Sequence, residues 1–313
     1  MHIIIPEDYQ NCVRDLDCFT SMKDHDVTVY NDSCNDPEEL VKRFQDADAL
    51  VLTRERTRLG EDVLSRLPRL KIISQIGKVS SHLDLHACRK FGIAVAEGQG
   101  SGAATAELTW ALILASRRHI VDEANRMKKG LWQGSLGQQL RGHRLGIWSY
   151  GRIGEQVARY GQAFGMHVRV WGGEQSTARA SADGFEVAQS REAFFSESDI
   201  VTLHIRLGDQ SRGIVKKADL LQMSKYALLV NTSRSELIEP GALEHALKQG
   251  RPGYAAIDVY DHEPVVHNPL ADMPNVLCTP HLGYVERDNY ENYFSIAFDN
   301  INRYFSGQPV SLL

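Results

Sequence analysis

The sequence predicts an α/β protein built as two doubly wound domains, and three observations carry that prediction. Short β-rich runs alternate with helix-like stretches along the whole chain, the pattern of parallel sheets covered by helices on both faces. At 313 residues the chain is longer than one hydrophobic core usually serves, which leaves room for two domains with a cleft between them. A glycine-rich break, Glu97-Gly98-Gln99-Gly100-Ser101-Gly102, separates two series of candidate strands.

In the first series the β-rich runs are His2 to Pro6, Val27 to Tyr30, Ala49 to Thr53, Lys71 to Gln75 and Ile93 to Ala96. Helical stretches separate them, among them Asp36 to Asp46, where Asp36 can cap and Pro37 takes the first helical position. After the break a long helix is predicted from Ala103 to about Arg118. The second series runs Arg144 to Trp148, His167 to Trp171, Ile200 to His204, Ala227 to Asn231, Tyr254 to Val259 and Val276 to Thr279. Each of these ends near a polar or glycine-bearing loop, where open α/β sheets bind their ligands. From Arg287 to about Tyr304, the apolar and aromatic Tyr290, Tyr293, Phe294, Ala297, Ile301 and Phe305 recur close to helical spacing, which predicts an amphipathic helix.

Composition narrows the functional classes. The 42% hydrophobic and 24% charged fractions are those of a globular protein, and no apolar run approaches the length of a membrane span. Lys plus Arg number 35 against 40 Asp plus Glu, and no basic run tracks a phosphate backbone, which argues against nucleic acid as a partner. The five cysteines are scattered and lack a C-x-x-C pair, so free thiols are expected rather than a disulfide framework or a zinc site. The opening Met1-His2-Ile3-Ile4-Ile5-Pro6 is too short and too poor in basic residues for a signal peptide, and a cytoplasmic location is the expectation.

One segment has the form of a dinucleotide site. Leu145-Gly146-Ile147-Trp148-Ser149-Tyr150-Gly151-Arg152-Ile153-Gly154 follows a predicted strand and opens a predicted helix. Glycines in such a turn allow tight bending, close approach of a pyrophosphate and helix-on-strand packing, while the helix N-terminus offers N–H groups to the anion. Ser149 stands where the pattern G-x-G-x-x-G has its first glycine, a small-residue variant. The next strand should end in a carboxylate for the adenosine ribose of NAD, but Trp171 is followed by Gly172 and Gly173, with Glu174 as a displaced candidate. Losing that carboxylate removes repulsion against the extra phosphate of NADP. No arginine follows directly, Arg179 and Arg206 being the nearest in sequence, so NAD and NADP both stay open.

Further motifs follow in order: Gln75-Ile76-Gly77-Lys78-Val79 with Asp84, Ala106-Glu107-Leu108-Thr109, Leu203-His204-Ile205-Arg206-Leu207, Val230-Asn231-Thr232-Ser233-Arg234, Asp258-Val259-Tyr260-Asp261-His262-Glu263-Pro264 and Thr279-Pro280-His281-Leu282-Gly283. With the glycine turn they make seven ordered matches, and by them the chain resembles the D-isomer-specific 2-hydroxyacid dehydrogenase family over nearly its whole length. That family includes glyoxylate and hydroxypyruvate reductases, phosphoglycerate dehydrogenase, formate dehydrogenase and a corepressor branch. The resemblance implies a flavodoxin-like substrate domain, residues 1–100 with 285–313, and a Rossmann nucleotide-binding domain, residues 101–284. It also implies a homodimer supported by roughly Ala103 to Gly142.

Reducing a 2-keto acid to its 2-hydroxy acid needs a cation for the carboxylate, a proton donor for the carbonyl oxygen and a hydride for the carbonyl carbon. By resemblance Arg234 binds substrate, His281 is the general acid/base and Glu263 holds its ring, while backbone N–H groups around Gly77, Lys78 and Val79 contact the substrate carboxylate. The resemblance assigns cofactor contacts to Tyr150, Gly151, Arg152, Ile153, Gly172, Gly173, His204, Thr232, Asp258 and Gly283. Lys78 and Arg54 read equally as substrate contacts or as surface charge, and Arg206 departs from the proline common at its position.

Two alternatives share the scaffold. A catalytically weak nucleotide sensor or corepressor-type interaction protein would keep the fold; the complete set Arg234, Glu263 and His281 counts against it, but corepressor-type members of the family also retain these residues, so the alternative stays open. A formate enzyme of this family pairs the histidine with glutamine, where this chain has Glu263.

Overall fold

The computed structural model describes residues 1–313 and divides them into two compact units, Met1–Ser101 with Glu286–Leu313, and Gly102–Val285. The first unit opens with β1 (His2–Ile5) and β2 (Asp26–Val29), then α1 (Pro37–Phe44), β3 (Ala49–Thr53), α2 (Glu61–Leu64), β4 (Ile72–Ile76), α3 (Leu85–Lys90) and β5 (Ala94–Glu97). All five strands are parallel, in the order β2-β1-β3-β4-β5. That is the flavodoxin-like order. Every residue of β3 and β4 is buried, as in a sheet covered on both faces. Asp36 caps α1 by accepting the Glu38 N–H at 3.3 Å, with Pro37 in the first turn.

The second unit begins with α4 (Ala103–Arg117) and α5 (Ile120–Lys128). It continues with β6 (Arg144–Trp148), α6 (Arg152–Ala163), β7 (His167–Trp171), α7 (Glu174–Ala182), β8 (Glu186–Val187), α8 (Arg191–Glu197) and β9 (Ile200–Leu203). Then come α9 (Lys217–Gln222), β10 (Leu228–Asn231), α10 (Ala242–Lys248), β11 (Tyr254–Ile257) and β12 (Val276–Cys278). Its seven strands are ordered β12-β11-β10-β9-β6-β7-β8, all parallel. The order reverses between β6 and β9, so the Rossmann-type crevice for a ligand falls at the carboxyl ends of these two strands. One face is closed by Ile113 of α4 and Val157 of α6, the other by Phe194, Leu220 and Leu243 of α8, α9 and α10.

The chain returns to the first unit through α11 (Arg287–Phe305), whose buried Tyr290, Phe294, Ala297 and Ile301 form the stripe that packs on β4. Glu286 caps it by accepting the N–H groups of Asp288 and Asn289. Leu312 then bridges Ala96 antiparallel to β5.

The strands read to Gln75 and Ala96 run one residue further, to Ile76 and Glu97, whereas in the second unit the ends that differ are all shorter. The runs read to His204, Val259 and Thr279 stop at Leu203, Ile257 and Cys278, because the chain leaves the sheet there to form the loops that carry polar side chains. Helix α5 follows α4 after a two-residue break, Arg118 and His119, and buries none of its side chains, and β8 is a two-residue edge strand. No helix is long and apolar enough to cross a membrane.

Candidate active site

The turn after β6 is built by its glycines. Ser149 adopts φ +79°, a left-handed conformation that costs a non-glycine residue roughly 1 kcal/mol, and its N–H donates to the Trp171 carbonyl at 2.7 Å. A Cβ on Gly154 would lie 2.2 Å from the Ser149 carbonyl oxygen, so only glycine fits there. A Cβ on Gly151 would meet nothing within 4 Å, which leaves the backbone open to a ligand. Gly151 begins α6 with no side-chain cap, and the first N–H groups of this twelve-residue helix, from Arg152 and Ile153 onward, point to an open anion position.

Beside this turn, β9 delivers His204. Its Nε2 lies 3.0 Å from Thr202 Oγ1, while its Nδ1 is buried without a partner. Burial alone lowers its pKa to about 3, so the ring is neutral. An open glycine cradle, an uncapped helix start and an orphaned buried nitrogen together suit a dinucleotide. After β7, Gly172 and Gly173 lead straight into α7 with no carboxylate, and Glu174 is exposed at the first helical position. The turn is braced from α7: Ser176 Oγ accepts the Tyr150 N–H at 2.5 Å, and the Arg179 guanidinium donates to the Tyr150 carbonyl. Arg206 is exposed.

A second group of side chains gathers where β10, β11 and β12 end. His281 Nδ1 and Glu263 Oε2 are 2.6 Å apart, and the other oxygen, Oε1, accepts the Tyr260 N–H at 3.0 Å. The carboxylate is thereby held in one orientation against the ring. His281 itself takes φ +52°, a strained conformation of the kind retained at functional sites. Asp258, fully buried, accepts from Thr279 Oγ1 at 2.6 Å and from the N–H groups of Leu282 at 2.7 Å and Gly283 at 2.9 Å. Burial raises its pKa against the pull of these donors and of His281. Arg234 starts the short turn after β10, where Asn231 Nδ2 donates to its carbonyl at 2.8 Å and its own Nη1 donates to the Ser233 carbonyl at 2.6 Å. Thr232 Oγ1 is 2.7 Å from Thr109 Oγ1, and Thr105 Oγ1 donates to the Gly283 carbonyl at 2.7 Å. Helix α4 thus ties two of the sequence-assigned residues together.

In the first unit, the loop after β4 carries Gly77 at φ +75°, Lys78 and Val79. The Arg54 guanidinium lies where a Gly77 side chain would be, with Nη1 1.9 Å from the position of a Cβ. The Val79 N–H donates to Glu97 Oε2 at 3.0 Å, and Lys78 pairs with Oε1 of the same carboxylate.

The structure brings Glu263 and His281 into contact, places Asp258 on Gly283 and sets Tyr150, Gly151, Arg152 and Ile153 at the helix start near Gly172. Sequence reading missed Thr279, Tyr260, Ser176 and Glu97, which hold these groups in place. Thr279, Ser176 and Glu97 act on residues brought in from other strand ends, which local spacing does not signal, whereas Tyr260 acts through its backbone N–H on Glu263 within one loop.

The NAD-binding-domain model of the D-isomer-specific 2-hydroxyacid dehydrogenases matches residues 110–283. A glyoxylate reductase of Aeropyrum pernix is 35% identical over 298 residues, covering 91% of this chain and 88% of that protein. A D-3-phosphoglycerate dehydrogenase of Methanocaldococcus jannaschii is 33% identical, covering 87% of this chain and 52% of that protein. Among solved structures, a phosphoglycerate oxidoreductase of Vibrio cholerae superposes with a TM-score of 0.95 at 48% identity, covering 98% of this chain and 99% of that one.

Proposed function

The chain belongs to the D-isomer-specific 2-hydroxyacid dehydrogenase family and is an NAD(P)-dependent oxidoreductase, and from that premise we propose that it reduces a small 2-keto acid to the D-2-hydroxy acid through Arg234, His281 and Glu263. The observation that carries the reading is the 2.6 Å contact of His281 Nδ1 with Glu263 Oε2.

With Nδ1 engaged by the carboxylate, Nε2 is the nitrogen that exchanges the proton. Glu263, itself fixed by the Tyr260 N–H, sets the tautomer and the orientation of the ring. Arg234 offers a planar fork that holds the substrate carboxylate and polarises the carbonyl oxygen. A nicotinamide cofactor, when bound, would supply the hydride that the carbonyl carbon requires. His281 gives its proton to the oxygen as charge develops there, and recovers it in the reverse direction. Asp258, Thr232 and Gly283 would flank the nicotinamide, Gly151 to Ile153 would hold the pyrophosphate, and Gly172, Gly173 and His204 would line the adenosine side. Gly77, Lys78 and Val79 serve the substrate carboxylate.

The reading includes a homodimer. Helix α5 and the following segment expose Ile120, Val121, Met127, Leu131, Trp132 and Leu136, with Trp132 75% and Leu136 92% exposed, an apolar surface of the kind that partners cover. A cytoplasmic location completes it. Initial rates with NADH and with NADPH against glyoxylate, hydroxypyruvate, pyruvate and phenylpyruvate test the function. Turnover with one pair supports it, whereas binding of cofactor without turnover of any keto acid favours the nucleotide-sensing alternative.

A further inference from the structure

The loop proposed to receive the substrate carboxylate already holds a carboxylate, and it belongs to the chain itself. Glu97, the last residue of β5, reaches across to the loop after β4, where its Oε2 accepts the Val79 N–H at 3.0 Å and its Oε1 pairs with Lys78. The approach is fixed by backbone. The Gly98 N–H donates to both the Gln75 and the Gly77 carbonyls at 3.0 Å, and a Cβ on Gly98 would stand 3.2 Å from the Gly77 nitrogen. A larger residue there would push the strand end and its glutamate away.

The two halves of this contact differ in weight. Lys78 is 55% exposed, so its ion pair contributes little on its own. Glu97 is only 19% exposed and receives a charge-assisted hydrogen bond from a backbone N–H, which is the stronger and more directional interaction. An incoming anion that uses the Val79 N–H must displace Glu97 or share the donor with a like charge.

We infer that Glu97 is a specificity-determining residue of the substrate loop: its carboxylate competes with the substrate's own for Val79 N–H, neutralises Lys78, and so selects 2-keto acids bearing a single negative charge over those with a second anionic group. This rests on the assignment of the Gly77 to Val79 loop to the substrate carboxylate. Removing one negative charge at this distance relieves a monoanion once and a dianion about twice.

The test uses two unreactive keto-acid analogues of nearly equal shape, oxamate, a monoanion, and oxalate, a dianion at neutral pH. Each is titrated by calorimetry into the cofactor-loaded protein, wild type and Glu97→Gln. The expected result is tighter binding of both to Glu97→Gln, about three-fold for oxamate and about ten-fold or more for oxalate. Glu97→Asp, which keeps the charge, should hold the wild-type oxalate-to-oxamate ratio. Equal or weaker binding of both analogues to a Glu97→Gln protein that melts and binds cofactor like wild type overturns the inference. A crystal of the wild-type complex with oxamate decides independently of any variant. Glu97 turned away from Val79 supports the competition, and Glu97 still on the Val79 N–H with oxamate bound contradicts it. Because none of these readouts needs turnover, a protein that reduces no keto acid refutes the proposed reaction without deciding the role of Glu97.

Discussion

Asp258 and Gly283 are locked together: the Asp258 carboxylate accepts the Gly283 N–H at 2.9 Å and would stand 3.2 Å from any Cβ placed on that glycine. The same carboxylate satisfies Leu282 N–H and Thr279 Oγ1, so it organises the loop that carries His281. Asp258→Ala leaves three donors without an acceptor, the Gly283 N–H buried and those of Leu282 and Thr279 half-buried, at a cost of up to about 1–3 kcal/mol for each one that neither water nor a new partner satisfies. Thermal denaturation should show a destabilised protein, with turnover lost beyond what unfolding explains. A variant with wild-type stability and rate would mean that Asp258 does not organise the loop.

The two inner glycines of the dinucleotide turn should fail in different ways. Gly151→Ala adds a methyl group into open space, so the protein should melt like wild type while NAD(P)H binding weakens about ten-fold or more, as expected of a cradle that a pyrophosphate must touch. Gly154→Ala meets the Ser149 carbonyl at 2.2 Å and should lower the melting temperature itself. Fluorescence titration of NADH together with calorimetry separates the two, and unchanged affinity in Gly151→Ala would refute the assignment of this turn.

Cofactor choice should respond to a carboxylate restored after β7. A Cβ on Gly173 would meet nothing within 4 Å, whereas a Cβ on Gly172 would press on Ser176 Oγ at 3.1 Å, the atom that braces Tyr150. Gly173→Asp is therefore the cleaner variant. It should lower kcat/KM for NADPH about ten-fold or more relative to NADH, by repulsion of the 2′-phosphate. An unaltered ratio would show that this edge does not face the adenosine ribose.

Acid should destabilise both units through buried histidines. In the first unit, burial lowers the His82 pKa to about 4, its Nε2 donating to Gln75 Oε1 at 3.0 Å. In the second, burial lowers His204 to about 3. Both folded values lie below the unfolded value of about 6.5, so the unfolded chain binds protons more readily. Stability is then full above about pH 6.5 and falls as pH drops toward 4, by on the order of 3 kcal/mol for His82 alone. Urea melts across that range should become flatter in His82→Gln. A wild type equally stable at pH 4.5 and pH 7.5 would contradict this account.

The sheets were readable where burial imposes a pattern. Ala49–Thr53 and Arg144–Trp148 are continuous apolar or nearly apolar runs, and their bounds agree with the sequence reading because no alternative conformation buries them as well. Helix α5 escaped because it is a nine-residue segment set directly after α4, and its apolar Ile120, Val121 and Met127 face outward rather than into a core. Within the candidate site, Glu263 and His281 could be named from their motifs, and the structure adds that they touch. What the sequence could not disclose are the contacts made between strand ends: Thr279 on Asp258, Ser176 on Tyr150 and Glu97 on Val79. These depend on sheet order and register, which place residues 18 or 26 positions apart within hydrogen-bonding distance.

The central claim is that His281 transfers the proton. The most direct measurement compares His281→Ala with wild type for keto-acid reduction at saturating cofactor, with cofactor affinity measured on the same samples. The account predicts a loss of turnover of about 100-fold or more with affinity for NAD(P)H within a few-fold of wild type. A variant that retains the wild-type rate would contradict it and remove the proton-donor role from His281.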